Sequence, residues 1–170
     1  MEPNQDTLYS NRGLCHLNLG KYQNAVNDFN KAISIYPRNI KALKRLSHIL
    51  ISQGNLNEAE IYLRRCAEYE ASEESHKADV LLINSLIKEF EEMNRFKTQK
   101  NYKMAEPLAA NLVKKLNMHT PTKIVYVESL LNNCKIKEAS DFLKNGVSDD
   151  EKRMEEFMYL KCLCTYYDGK

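Results

Sequence analysis

Residues 8–37 read LYSNRGLCHLNLGKYQNAVNDFNKAISIYP. Leu8, Leu14, Leu17 and Leu19 mark one helix, with Gly13 as a small contact residue inside it. Gly20 then supplies the left-handed backbone that ends a helix. Tyr22, Ala25, Val26, Phe29, Ala32 and Ile33 recur at helical spacing over 22–35. Pro37 stops this second helix and biases Tyr36 out of helical conformation. The stretch therefore predicts two antiparallel helices. Ala25 and Ala32 allow a close backbone approach, and Phe29 fills the groove to the neighbouring unit.

The same pattern returns along the chain. Residues 20–29 (GKYQNAVNDF), 54–63 (GNLNEAEIYL), 100–109 (KNYKMAEPLA) and 134–143 (CKIKEASDFL) each place Tyr, Leu or Ile two residues after a turn position, and Ala three later. The alanines are Ala25, Ala59, Ala105 and Ala139, separated by 34, 46 and 34 residues. A 34-residue unit thus repeats, with 12 extra residues between the second and third copies. The extra residues have a plain source. From about Ser72 to Thr98 there is no Gly or Pro, and Val80, Ile83, Leu86, Ile87, Phe90 and Met93 recur helically. One long helix of roughly 40 Å is expected there. Pro107 falls early in a predicted helix and should delay its start or kink it.

Composition agrees with this reading. Five Gly and four Pro in 170 residues leave little turn material for a sheet, and 43% hydrophobic residues suffice for a core. A formal charge of +2, from 25 basic and 23 acidic residues, argues against nonspecific nucleic-acid binding. No apolar run reaches the roughly 20 residues of a membrane span. The start, Met1-Glu2-Pro3-Asn4, has no signal-peptide core. An odd count of five cysteines and no Asn-x-Ser/Thr sequon favour a reducing, cytoplasmic setting.

The arrangement of Tyr9, Gly13, Gly20, Tyr22, Ala25, Phe29, Ala32 and Pro37 resembles the tetratricopeptide repeat. A second copy over 40–73 matches with Leu43, Ser47, Gly54, Leu56, Ala59 and Leu63. The resemblance implies an all-α fold, a right-handed α-α superhelix of about nine helices. The expected divisions are repeats at 6–39 and 40–73, a long helix plus degenerate repeat at 74–119, a degenerate repeat at 120–153, and the first helix of an incomplete repeat at 154–170. Both ends break off at a first helix, which leads to the expectation of a piece from a longer array. End-to-end self-association through an uncovered repeat face is expected as well.

Such arrays bind partners in a groove lined by the first helix of each pair. Lys41, Lys44, Arg45 and His48 fall at i, i+3, i+4 and i+7, one stripe on the helix 40–53, with Leu43, Leu46 and Leu50 facing the core. Asn11 lies 34 residues before Arg45, at the equivalent place. Asn11, Lys41 and Arg45 should converge on one groove, as charge-assisted donors to a carboxylate. Lys44 and His48 are further groove contacts. LYSNR (8–12) and KALKR (41–45) resemble the carboxylate-clamp cochaperones, which hold the acidic C-terminal tails of cytosolic heat-shock chaperones of the seventy- and ninety-kilodalton classes. The resemblance implies a partial clamp of Asn11, Lys41 and Arg45, since two further clamp positions lie in a repeat that precedes these in the family. Residues 90–113 and 159–170 resemble J-domain cochaperones with two tetratricopeptide arrays. The J domain's His-Pro-Asp is absent, because Glu2, Tyr36, Glu106 and Thr120 precede the four prolines.

Each feature has a plainer alternative. The basic stripe could be a solvated helix face, and Asn11 could decorate a first turn in which Asp6 or Thr7 is the better N-cap. A repeat scaffold for a non-chaperone partner uses the same fold. No Cys-x-x-Cys stands among the cysteines, and Cys162 and Cys164 point to different faces, so no metal or cofactor is expected. Gly-rich phosphate loops, nucleophile elbows and His-Glu-x-x-His are missing, and no catalytic residue is assigned.

Overall fold

The structure is a computed structural model that describes residues 5–70 and 74–169. Among them there are ten helices and no strand. They are α1 (Gln5–Asn18), α2 (Tyr22–Ile35), α3 (Ile40–Ser52), α4 (Leu56–Tyr69), α5 (Glu74–Thr98), α6 (Tyr102–Lys115), α7 (Thr120–Asn132), α8 (Ile136–Asn145), α9 (Asp149–Lys152) and α10 (Glu155–Asp168). The chain divides into two compact units, Met1–Ile87 and Lys88–Lys170, with the division inside α5. At 25 residues α5 is the long helix that the missing Gly and Pro predict, about 37 Å by its rise per residue. Its predicted first residues, Ser72 and Glu73, lie outside the described residues.

In the first unit the pairing of α1 and α2 rests on an absent side chain. A Cβ on Gly13 would stand 2.8 Å from the Phe29 ring. Ala25, Phe29 and Ala32 have no exposed surface. Arg12 donates to both carboxylate oxygens of Asp28, at 2.8 and 2.6 Å, beside this contact. Leu43, Leu46 and Leu50 of α3 are buried, as are Leu56, Ala59, Leu63 and Cys66 of α4. Burial pushes the Cys66 thiol up to about 11, which makes it an inert packing residue. Ile83 and Leu86 of α5 are buried as well.

In the second unit, Val127, Leu130, Ala139, Leu143, Phe157 and Leu160 form one core of α7, α8 and α10. The tenth helix, beyond the nine expected, is the single turn α9. Ser148 and Glu151 close a capping box on it, and Glu151 also accepts from buried Lys123 at 2.7 Å. Pro107 does not delay α6, which begins at Tyr102 with the Asn101 side chain accepting from the Met104 amide. Five residues in, Pro107 is exposed, and so is Lys103, whose carbonyl loses its usual donor.

The turn after the first helix of each pair takes a left-handed residue in all four copies. Gly20 (φ 70°) and Gly54 (φ 82°) do so without strain, but Lys100 (φ 54°) and Cys134 (φ 59°) carry a Cβ. Cys134→Gly is expected to raise the stability of the second unit by about 0.5 to 1 kcal/mol, and Gly20→Ala to lower that of the first by about 1 kcal/mol. Urea midpoints of the two variants check both signs.

Three carboxyls titrate below their ordinary values. Arg12 holds Asp28 down by hydrogen bonding against the cost of burial. Burial pushes Glu106 and Glu151 up, and their donors more than reverse it. Those are Lys135 and Asn133 for Glu106, and Lys123, Ser148 and Thr120 for Glu151. The folded chain therefore binds fewer protons than the unfolded one as acid is added. This stabilisation is complete above the ordinary carboxyl range of about 4 and disappears as pH falls through the depressed folded values. Thermal midpoints should drop steeply below about pH 4, and Asp28→Asn should make that acid limb shallower.

Candidate functional site

The basic stripe sits on α3, whose start is fixed by one amide. The Asn39 carbonyl oxygen accepts from the Ala42 backbone N–H at 3.0 Å, and its amide nitrogen donates to Asp6 Oδ2 at 2.9 Å. Asp6 is 4% exposed. Asp6 and Thr7, expected at the N-cap of α1, both lie inside that helix, which is already formed at Gln5. Asp6 instead ties α1 to the start of α3. This brings the N-terminal half of α1 against the first turn of α3.

Between them lies an open groove of about 460 Å³ lined by Ser10, Asn11, Arg38, Lys41 and Glu70, among others. Asn11 and Lys41 are thus brought to one groove. Arg45 is half-buried and anchored one residue away, with Nη1 at 3.4 Å from both the carbonyl and the hydroxyl oxygen of Ser10. Lys44 turns aside. Its ammonium pairs with Asp79 of α5 at 2.8 Å, which neutralises it. His48 is exposed further along the same helix.

Two groove residues escape a stripe argument. Arg38 stands in the connection between α2 and α3, off any helix face, with its guanidinium 5.4 Å from the Tyr69 ring centre. Glu70, just beyond α4, brings a second carboxylate, beside that of Asp6, to a groove that also holds Arg38 and Lys41. The sequence signal for Arg38 was its place directly after Pro37, at the mouth of the turn. For Glu70 there was none, since only the packing of α4 brings it near.

Among the described residues no group of His, Cys, Asp or Glu is arranged to hold a metal ion. None of the described helices is long and apolar enough to cross a membrane. Cys162 is exposed and Cys164 buried, on different faces of α10.

Comparison with known proteins places this geometry. Two segments, 7–39 and 40–73, match family models described as tetratricopeptide repeat. These two segments are tetratricopeptide repeats. The repeats make this part of the chain a protein-interaction module. Heat shock protein STI1 of Saccharomyces cerevisiae is 37% identical over 70 residues, covering 41% of this chain and 12% of that protein. The Hsp70/Hsp90 co-chaperone CNS1 of the same yeast is 37% identical over 54 residues, covering 32% of this chain and 14% of its own length. Protein unc-45 homolog B of Mus musculus is 35% identical over 83 residues, covering 49% and 9%. The chain therefore spans only a small part of the relatives it matches. The P58(IPK) TPR domain, known from a crystal structure, superposes with a TM-score of 0.79 at 19% identity, over 99% of this chain and 47% of that one. At that identity the likeness carries the fold: a tetratricopeptide solenoid.

The joint that forms the groove is open to test. Asn39→Ala removes a helix cap and leaves Asp6 buried without its donor. A loss of about 1 to 3 kcal/mol is expected, read from a urea titration of the variant.

Proposed function

We propose that the chain is part of a cochaperone and that the groove between α1 and α3 binds an extended peptide with an acidic C-terminus. Asn11, Lys41 and Arg45 act as a partial carboxylate clamp. The observation that carries this reading is the meeting of Asn11 and Lys41 in one groove, with Arg45 anchored on the adjacent Ser10. Arg38 adds a cation that the clamp resemblance did not supply. The names of two similar proteins, a heat shock protein and an Hsp70/Hsp90 co-chaperone, favour chaperone tails of the seventy- and ninety-kilodalton classes as the peptide. The resemblance to J-domain cochaperones points the same way. Five free thiols suit a cytosolic site of action.

The electrostatics limit affinity. A shielded charge-assisted hydrogen bond contributes about 1.5 to 3 kcal/mol. In an open groove, solvent and salt reduce each contact toward about 0 to 1 kcal/mol. With Lys44 neutralised by Asp79 and Glu70 opposing an acidic ligand, dissociation constants no tighter than tens of micromolar follow.

Titration with an acidic chaperone-tail peptide, as free acid and as C-terminal amide, tests the reading. The free acid should bind several-fold more tightly, Arg45→Ala should weaken it, and Glu70→Gln should strengthen it about twofold. Equal affinity for the two peptide forms sinks the clamp.

A further inference from the structure

The register that places cations in the first unit changes sign in the second. Steps of 46 and then 34 residues carry Arg45 to Glu91, Val125 and Tyr159, and Lys41 to Ile87, Pro121 and Glu155. In α10, burial supports this register. Leu43, Leu46 and Leu50 map onto Phe157, Leu160 and Cys164, and all six are buried. Positions that hold donors for a carboxylate in α3 thus hold carboxylates, apolar residues or a tyrosine in the later helices. Glu91, Glu155 and Tyr159 are exposed.

A second groove lies within the second unit, between α7 and α10, with a volume of about 280 Å³. Glu128 and Leu131 line it from α7, and Tyr159, Leu163 and Tyr167 from α10. Tyr159 is 62% and Tyr167 45% exposed, unusual for rings with an apolar floor beside them. Glu128 has a cationic neighbour, Lys97, but at 3.8 Å from Nζ to Oε2. That is beyond hydrogen-bonding distance, so the carboxylate keeps acceptor capacity for a ligand.

Two exposed phenol rings, an aliphatic floor and one carboxylate select a particular chemistry. We propose that this groove binds an extended peptide segment that presents an arginine side chain. The guanidinium stacks on the face of Tyr159 or Tyr167 and donates to Glu128, while an aliphatic neighbour of the arginine packs on Leu131 and Leu163. Arginine fits better than lysine because its planar cation is weakly hydrated and forks onto a carboxylate. An acidic segment meets Glu128 as a like charge. The surface is therefore opposite in preference to the groove of the first unit, and the proposal stands independently of the carboxylate clamp.

The probe is a short peptide of alternating leucine and arginine with both ends blocked, set against its glutamate counterpart. Each is titrated into the isotope-labelled full chain and followed by amide chemical shifts. The arginine peptide should move the amides of Glu128, Tyr159, Leu163 and Tyr167, and the glutamate peptide should not. Glu128→Gln and Tyr159→Ala should each weaken binding about threefold. Both side chains are at least partly exposed, so the spectra of the variants should remain those of the folded chain. Arg45→Ala should leave the affinity unchanged. Equal binding of the glutamate peptide, shifts centred elsewhere, or full affinity in both groove variants would overturn the proposal. So would concentration-dependent broadening of the same amides without peptide, abolished by Tyr159→Ala, when no arginine peptide binds. That result assigns the groove to a second copy of the chain.

Discussion

The pairing of α1 and α2 leaves no room for a methyl group at Gly13, and the groove depends on it. A Cβ there would meet Phe29 at 2.8 Å, inside van der Waals contact. With the helices this close, Ala25 and Ala32 are sealed and Asp28 reaches Arg12. Ser10 and Asn11 are then held beside α3. Widening the pair would move Ser10, on which Arg45 rests, and would open the joint between Asp6 and Asn39. The groove is set by packing beneath it rather than by the charged side chains themselves.

The two units share one architecture and differ in what they present. In the first, Arg38 and Lys41 share one groove with Asp6 and Glu70, and Arg45 is anchored on Ser10 beside it. In the second, the same helix positions carry Glu155, Tyr159 and Glu91. A repeat fixes where a side chain stands and leaves its chemistry free wherever that position is open to solvent, as at Glu91, Glu155 and Tyr159, whereas Val125 at the same register is buried. Where the position is exposed, neighbouring repeats can therefore differ in sign at little structural cost.

Much of the fold was legible because repeat positions are dictated by steric demands that one residue type meets. Ala105 and Ala139 have no exposed surface, like their counterparts Ala25 and Ala59. The spacing of 46 residues gave the long helix α5 directly. What escaped was either small or compensated. Helix α9 is one turn, below the length at which periodicity speaks, although Ser148 and Glu151 at capping-box spacing were readable. Pro107 left the start of α6 in place because Asn101 caps it and Pro107 lies on an exposed face. At the candidate site, the basic stripe and the 34-residue register pointed Asn11 and Lys41 to one groove, and both line it. The pairing of Lys44 with Asp79 was not, since Asp79 lies 35 residues on and outside the repeat pattern. Asp6 was misread as a cap because its partner, Asn39, is 33 residues away.

The double use of Asn39 leaves no isosteric residue able to replace it. One side of its amide must accept from Ala42 and the other must donate to Asp6. Only an uncharged amide does both. Aspartate in its place keeps the cap and sets a second carboxylate against buried Asp6, with no donor between them. The joint behind the groove thus depends on a single nitrogen atom. Exchange of that nitrogen for oxygen would loosen α1 from α3 while every residue lining the groove stayed in place along the chain.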